Sequence, residues 1–220
     1  MSTSRVSLDK EMEDLNCDIL RMGAIIEQQI REAVESLTAK DIKIAETVID
    51  RDDEVDRLQE VIEDKSIEMI IRQQPIAKDL RTIFSAVKLA TDLERISDIA
   101  VNIARIAKRI IGQEYIKPLV DIPRMAKIAQ DILRTSLDSY VKRDVEIAKS
   151  IVSMEEEIDH LYARVFEDLI AIMTKDASTV HQGVQLIMVA RQLERIGDHS
   201  TNIGEMAVYL KTGERIKLND

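Results

Sequence analysis

The sequence is poor in residues that break helices and in residues that build several kinds of functional site. Its 220 residues include three prolines, six glycines, no tryptophan, four tyrosines and two phenylalanines. Scarce proline and glycine favour long helices, as does the abundance of Ala, Leu, Ile, Glu, Lys and Arg. The single cysteine, Cys17, excludes an intramolecular disulfide and a cluster of thiolate metal ligands. These absences predict an all-α protein without cysteine chemistry.

Basic residues are also in the minority. The chain has 31 Lys and Arg against 41 Asp and Glu, a formal net charge of −10. Because phosphate backbones are bound by clustered Lys and Arg, this balance disfavours a nucleic-acid-binding protein. No apolar run approaches the roughly 18 residues that span a bilayer, and the N-terminal segment lacks the apolar core of a signal peptide. We therefore expect a cytoplasmic protein with no transmembrane segment and no nucleic-acid partner.

Apolar residues recur every three or four positions from Leu8 to Leu37, which is typical of an amphipathic helix in a bundle. Ser7 stands where an N-cap is expected. The next helix is predicted to begin after Asp41, a second capping residue, and to run to about Arg72. Each of these helices is long enough to pack along its neighbours.

A break at Pro75 separates this second helix from a third, predicted from about Lys78 to Ile111. The segment GQEYIKPLVDIP, residues 112–123, follows and holds one glycine and two of the three prolines. It is the strongest interruption in the chain.

The first half of the sequence recurs in the second. MGAIIEQQIREAVESL, from Met22, matches MAKIAQDILRTSLDSY, from Met125, and DLERISD, from Asp92, matches QLERIGD, from Gln192. The second copy is three residues shorter between these segments, in a predicted loop, where repeats tolerate losses.

The repeat predicts two tandem three-helix bundles of long antiparallel helices, residues 1–113 and 114–220. The alternative is one continuous six-helix domain whose halves share a core.

The acidic residues that recur in both halves form pairs four residues apart. Each pair places two carboxylates on one helix face, where like charges repel by roughly 0.2–0.5 kcal/mol. The pairs are Asp52 with Asp56, Glu94 with Asp98, Glu155 with Asp159, and Glu194 with Asp198. Asn102 and Asn202 lie one turn after Asp98 and Asp198 on the same face of the third helix of each half. Glu205 lies just beyond Asn202 in the second half.

A bound cation would remove this repulsion. Carboxylate oxygens are hard ligands suited to Mg²⁺, Ca²⁺, Mn²⁺ or iron, and zinc is a further candidate. Two pairs in each three-helix unit supply four carboxylates, enough for more than one ion. The pairs therefore predict a multinuclear metal site in each half. The alternative is a metal-free helical scaffold whose acidic faces are balanced by arginines such as Arg95 and Arg195.

The two predicted sites differ at two positions. Arg105 stands in the first half where Glu205 stands in the second, so we expect the second site to bind more ions or to bind them more tightly. Ser97 occupies the position in the first repeat that Gly197 occupies in the second. Any requirement for a neighbouring group to approach the helix backbone closely at this position is therefore weaker in the first half.

Residues typical of metalloenzymes are missing from the shared positions. His160, His181 and His199 have no histidine counterpart in the first half. A ferritin-like di-iron bundle uses two Glu-x-x-His motifs, and this chain has one, ending at His160. It has no glycine-rich phosphate loop, no His-Glu-x-x-His motif and no recognisable nucleophile. We therefore expect a protein that is not an enzyme, with a carboxylate-bridged metal hydrolase or oxidase as the alternative.

The doubled third-helix motif, LERISDIAVNIA from Leu93 and LERIGDHSTNIGE from Leu193, together with the second-helix acids, resembles the PhoU family of bacterial phosphate-transport accessory and signalling proteins. The resemblance covers nearly the whole chain. It implies two similar three-helix bundles that carry multinuclear iron or zinc clusters on the four acid pairs.

The same resemblance implies a role and partners. It implies a homodimeric negative regulator of the phosphate-starvation response, without catalytic activity. Such a protein would link the ATPase of a phosphate ABC transporter to a membrane sensor histidine kinase, and would lie peripherally at the membrane.

Overall fold

The computed structural model describes residues 2–219 of the chain, and the side chains of residues 7–219. Within that range the structure is helical, without a β-strand, which confirms the all-α prediction. The helices are α1 (Ser2–Thr38), α2 (Ile42–Asp50), α3 (Asp52–Gln73), α4 (Ala77–Ile110), α5 (Asp121–Lys142), α6 (Val145–Lys149), α7 (Ile151–Lys175) and α8 (Val180–Thr212), with a 3₁₀ turn at Ala177–Thr179 before α8.

The second predicted helix is divided in two. Asp41 caps α2 as predicted, because its carboxylate accepts a hydrogen bond from the backbone N–H of Lys43 (2.8 Å). The helix then stops at Arg51, and α3 begins directly after it. The prediction of one continuous helix was wrong because apolar periodicity crosses the turn: Val48 and Val55 are both fully buried.

The second half repeats this break at Ser150, between α6 and α7. Asp144 caps α6 by accepting from the backbone N–H of Glu146 (2.9 Å). The prediction of Ser7 as an N-cap was also wrong, since α1 begins at Ser2 and the Ser7 hydroxyl donates within the helix to Glu11 (3.1 Å).

Each half packs its long helices around its own apolar stripe. In the first half α1, α3 and α4 lie against one another, and in the second α5, α7 and α8 do the same. The short helices α2 and α6 cover one end of each group. Helix α4 also packs along α8, and α1 along α5, so buried residues of both halves form one continuous hydrophobic cluster. A shared core does not place a domain boundary, and the division after residue 113 stays a prediction.

The segment between the halves is held by the buried side chain of Gln182 on α8. Its amide oxygen accepts from the backbone N–H of Ile116 (2.7 Å), and its amide nitrogen donates to the carbonyl of Glu114 (2.9 Å). Tyr115 donates its hydroxyl to the carbonyl of Leu37 (2.5 Å). These contacts fix where α5 starts relative to α1 and α8.

Within the described chain, no helix combines the length and the apolar character that crossing a membrane requires.

Candidate metal centre

Helices α3 and α4 bring the four paired acids of the first half into one electrostatic cluster. Burial raises the pKa of Asp52, of Asp56 and of Glu94, and the charge of Asp98 raises each of them further. One carboxylate therefore acts on three others from both helices. The structure thus brings the two pairs, which the sequence identified separately, within electrostatic range of each other.

Two nearby groups offset part of this repulsion. The hydroxyl of Ser97 donates to Oδ1 of Asp52 (3.0 Å) and lies 2.9 Å from Oε1 of the fully buried Gln29. This hydrogen bond lowers the pKa of Asp52, as does the more distant charge of Arg105. Arg95 lies 3.5 Å from Glu94 and 3.4 Å from Asp98. These ion pairs are what the alternative of a metal-free scaffold, with its acidic faces balanced by arginines, requires.

Helices α7 and α8 build the same cluster in the second half. Burial raises the pKa of Glu155, of Asp159 and of Glu194, and Asp198 again raises all three. The pKa of Glu194 reaches about 7, the largest effect being burial and the next the charge of Asp198. Repetition of this pattern in both halves is a property of the fold, since α3–α4 and α7–α8 are equivalent helix pairs.

Glu194 is the most constrained of these acids. Its side chain is 12% exposed and is paired through Oε1 with Arg191, which keeps its pKa from rising further. Its other oxygen, Oε2, is buried and has no hydrogen-bond partner. A buried carboxylate oxygen without a donor is costly. A hard cation would satisfy it, so the donor set fits the metal ions that the sequence predicts.

Gly197 and the C-terminal segment distinguish the second cluster from the first. A Cβ at Gly197 would meet Ile158 at 3.5 Å and Glu155 at 3.9 Å, which are ordinary contacts. The helices therefore do not require glycine there. Glu155, which is buried, accepts a hydrogen bond from the side-chain amide of Asn219 (2.6 Å).

The three additional candidate residues have other partners. Asn202 donates to Asp92 on α4 (3.3 Å), which also contacts His199 (3.2 Å). Glu205 accepts from the backbone N–H of Leu218 (3.1 Å) and faces Lys217 (3.4 Å). The amide oxygen of Asn102 accepts from Arg105 (3.5 Å). Each of these three side chains therefore has a partner other than the paired acids.

The carboxylates are near one another without forming a closed ligand set. Across residues 2–219, no group of three or more His, Cys, Asp or Glu side chains is arranged to hold a metal ion as it stands. Binding a cation would require the carboxylates to turn towards it.

Sequence reasoning missed two contributors to these clusters. Arg191 lies three residues before Glu194, a spacing that allows an ion pair on one helix face, and could have been found from it. Asn219 carries no such signal, because only the fold of the C-terminal segment brings it to Glu155.

The doubled architecture matches a known family. The family model described as the PhoU domain matches residues 19–107 and, a second time, residues 122–207. A phosphate-specific transport system accessory protein PhoU homolog from Clostridium acetobutylicum is 41% identical over 218 residues, covering 99% of this chain and 100% of the relative. The homolog from Caulobacter vibrioides is 36% identical over 211 residues, covering 96% and 92%.

Two solved structures share the fold. The crystal structure of PhoU from Pseudomonas aeruginosa superimposes with a TM-score of 0.89 at 31% identity, covering 94% of this chain and 99% of that one. The phosphate transport system regulatory protein PhoU from Streptococcus pneumoniae gives a TM-score of 0.88 at 28% identity, covering 96% and 99%. The two homologs are named as accessory proteins and the Streptococcus pneumoniae protein as a regulatory protein, and none of them is named as an enzyme.

Proposed function

The chain belongs to the PhoU family, and from that membership we propose that it regulates phosphate uptake as an accessory protein of a phosphate-specific transport system. The observation that supports this most strongly is the full-length similarity to proteins named for that role. The prediction that the chain is not an enzyme is confirmed by the same names, which describe accessory and regulatory proteins. The same names therefore speak against the alternative of a metal-dependent hydrolase or oxidase.

The finer proposal concerns partners. The protein acts in the cytoplasm as a negative regulator of the phosphate-starvation response, linking the ATPase of a phosphate ABC transporter to a membrane sensor histidine kinase. It works as a homodimer and lies peripherally at the membrane. Its long exposed helix faces suit such docking, since helical bundles present rigid surfaces to partners.

The second part of the proposal is that the acid clusters bind metal. Asp52, Asp56, Glu94 and Asp98 hold ions in the first half, and Glu155, Asp159, Glu194 and Asp198 hold them in the second. Iron or zinc is proposed first, with magnesium, manganese or calcium as alternatives. The bound ions would supply positive charge against which the carboxylates no longer repel one another. The partnerless oxygen of Glu194 is the observation that supports this.

A metal-free regulator is the competing proposal. It is supported by the open arrangement of the acids, which does not form a ligand set as it stands. Purification without added metal or an affinity tag, followed by elemental analysis, distinguishes the two. Several ions per chain would support the metal proposal, and a chain without metal that still folds and binds its partners would support the scaffold.

The regulatory proposal is tested by capture from cells. The tagged protein is recovered from phosphate-replete and from phosphate-starved cells, and the transporter ATPase and the sensor kinase are quantified by mass spectrometry. We expect both partners in the replete sample. Recovery of neither in either condition would contradict the proposal. A control in which Lys127, an exposed residue outside both clusters, is changed to alanine should behave as the wild type.

A further inference from the structure

A cleft of about 480 Å³ opens between α4 and the C-terminal half of α8. The segment that follows α8 forms its third wall, through Arg215, Ile216 and Lys217. The eight paired acids all lie outside it. The volume lies within the range of roughly 300–1,000 Å³ found for small-molecule sites.

Three basic side chains line the cleft. Lys88 projects from α4, and Arg215 and Lys217 from the C-terminal segment. Lys217 is paired with Glu205 (3.4 Å), whereas no carboxylate of residues 7–219 forms an ion pair with Lys88 or Arg215. The Arg215 guanidinium lies over the ring of Tyr209, 5.3 Å from its centroid. In a chain with a net charge of −10, two uncompensated cations at one cleft favour an anionic ligand.

The same lining also offers apolar surface and hydrogen-bonding groups. The ring of Phe84 is 55% exposed, and Met206 and Ile216 pack partly buried against the core. The hydroxyl of Ser85, also in the lining, is buried and has no hydrogen-bond partner. Asp92 adds a half-buried carboxylate that can accept from a ligand N–H.

We propose that this cleft binds a nucleotide, with its phosphate at Lys88 and Arg215 and its base against Phe84. A flat, largely apolar ring suits the exposed side chain of Phe84. Exposed aromatic side chains stack on bases in proteins that bind single-stranded nucleic acids. An inorganic phosphate ion would meet the cations but would leave the apolar residues of the lining without a contact. This site is separate from the metal proposal and goes beyond it.

Isothermal titration calorimetry on the full chain tests the proposal. The buffer contains EDTA, so that ions at the acid clusters cannot bind phosphate groups. The probes are adenosine monophosphate, adenosine and inorganic phosphate. We expect adenosine monophosphate to bind at least tenfold more tightly than either of the others, because only it can contact both the basic and the apolar residues of the lining.

Variants locate the binding. Combining Lys88→Ala with Arg215→Ala should weaken binding of adenosine monophosphate at least tenfold, and Phe84→Ala should weaken it severalfold. The matched control is Lys211→Ala, which removes an exposed lysine of α8 that does not line the cleft. It should bind as the wild type does.

Three results would overturn the proposal: no heat of binding up to millimolar nucleotide, equal affinity for phosphate and nucleotide, or unchanged affinity in the double variant. If that variant does not fold, as judged by circular dichroism, 8-azido-adenosine monophosphate is photo-crosslinked to the wild type. Labelling within residues 84–92 or 202–217 would support the site, and labelling confined to other residues would refute it.

Discussion

The hydroxyl of Ser97 donates a hydrogen bond to the carboxylate of Asp52 over 3.0 Å, and its counterpart Gly197 has no hydroxyl to offer Glu155. Glu155 instead accepts from Asn219, in the C-terminal segment (2.6 Å). The two clusters are built from equivalent helices but receive hydrogen bonds from different parts of the fold. In the first cluster the donor is Ser97, a buried residue of the same bundle, and in the second it is Asn219 of the C-terminal segment. Their stabilities and affinities should therefore respond differently to equivalent changes.

Substitutions at these two positions should shift stability in opposite directions. Ser97→Ala removes the donor to Asp52 and the contact of the buried Gln29, which should cost about 1–3 kcal/mol. Gly197→Ala adds a methyl at ordinary contact distance inside a helix, where alanine is favoured over glycine by up to about 1 kcal/mol. Urea unfolding in metal-free buffer measures both. Stabilisation by Ser97→Ala, or destabilisation by Gly197→Ala, would contradict this view of the clusters.

The metal-free protein should lose stability as the pH rises towards neutrality. The pKa of Glu194 is raised from 4.5 to about 7 in the folded chain, so the folded state holds this proton more tightly than the unfolded state. The resulting stabilisation is fully present below pH 4.5 and is lost as the pH rises to about 7. The raised pKa values of Asp52, Glu94 and Glu155 act in the same direction. Glu194→Gln should flatten the profile, as measured by thermal melting across this range. If the melting temperature of the variant depended on pH as steeply as that of the wild type, Glu194 would not be the cause of the pH dependence.

Removing one acid pair should reduce stabilisation by metal without harming the fold. The double change Glu194→Gln with Asp198→Asn removes two carboxylates that repel each other. Stripped of metal, it should melt at least as high as the wild type. With metal present, the wild type should gain more stability than the variant, because an ion that binds only the folded state stabilises it and the variant keeps only the first cluster. The matched control is Glu94→Gln with Asp98→Asn, which leaves the second cluster intact. Equal gains in the wild type and in the Glu194 variant would exclude these residues as ligands.

Arg105 should weaken the first site. Its charge reaches Asp52, whose pKa it lowers, and the same charge opposes a metal cation. Arg105→Glu should therefore raise the affinity of the first cluster severalfold and narrow its difference from the second. Arg109→Glu, one turn farther along α4, serves as the control for net charge. Titration with Mn²⁺, followed by electron paramagnetic resonance, measures both variants, and equal effects of the two would contradict a local role for Arg105.

Much of the fold follows from the sequence because the repeat and the apolar periodicity carry it. The ends of the long helices near Pro75 and residue 112 were predicted to within a residue or two. The interruptions at Arg51 and Ser150 were not, since buried residues such as Val48 and Val55 keep helical spacing across the turn. The spacing of apolar residues shows which face of a helix is buried. It does not reveal an interruption of the helix after which the same face remains buried.

The clusters could be predicted only as pairs within single helices. Spacing four residues apart identified Asp52 with Asp56 and Glu194 with Asp198. It could not determine that Asp98 and Asp198 each act on acids from a second helix, because that depends on how the helices pack. The positions of Asn202 and Glu205 along the same stripe suggested further ligands. Tertiary contacts with Asp92 and Leu218 give those side chains other partners.

The most direct test of the central claim, that the paired acids bind metal, is anomalous diffraction from crystals soaked at limiting iron or zinc. We predict peaks between α7 and α8, beside Glu155, Asp159, Glu194 and Asp198, before any appear between α3 and α4. At higher concentration a second set should appear beside Asp52, Asp56, Glu94 and Asp98. Peaks at neither cluster, with metal bound elsewhere or not at all, would contradict the claim, and filling of the first-half cluster before the second would contradict the predicted order.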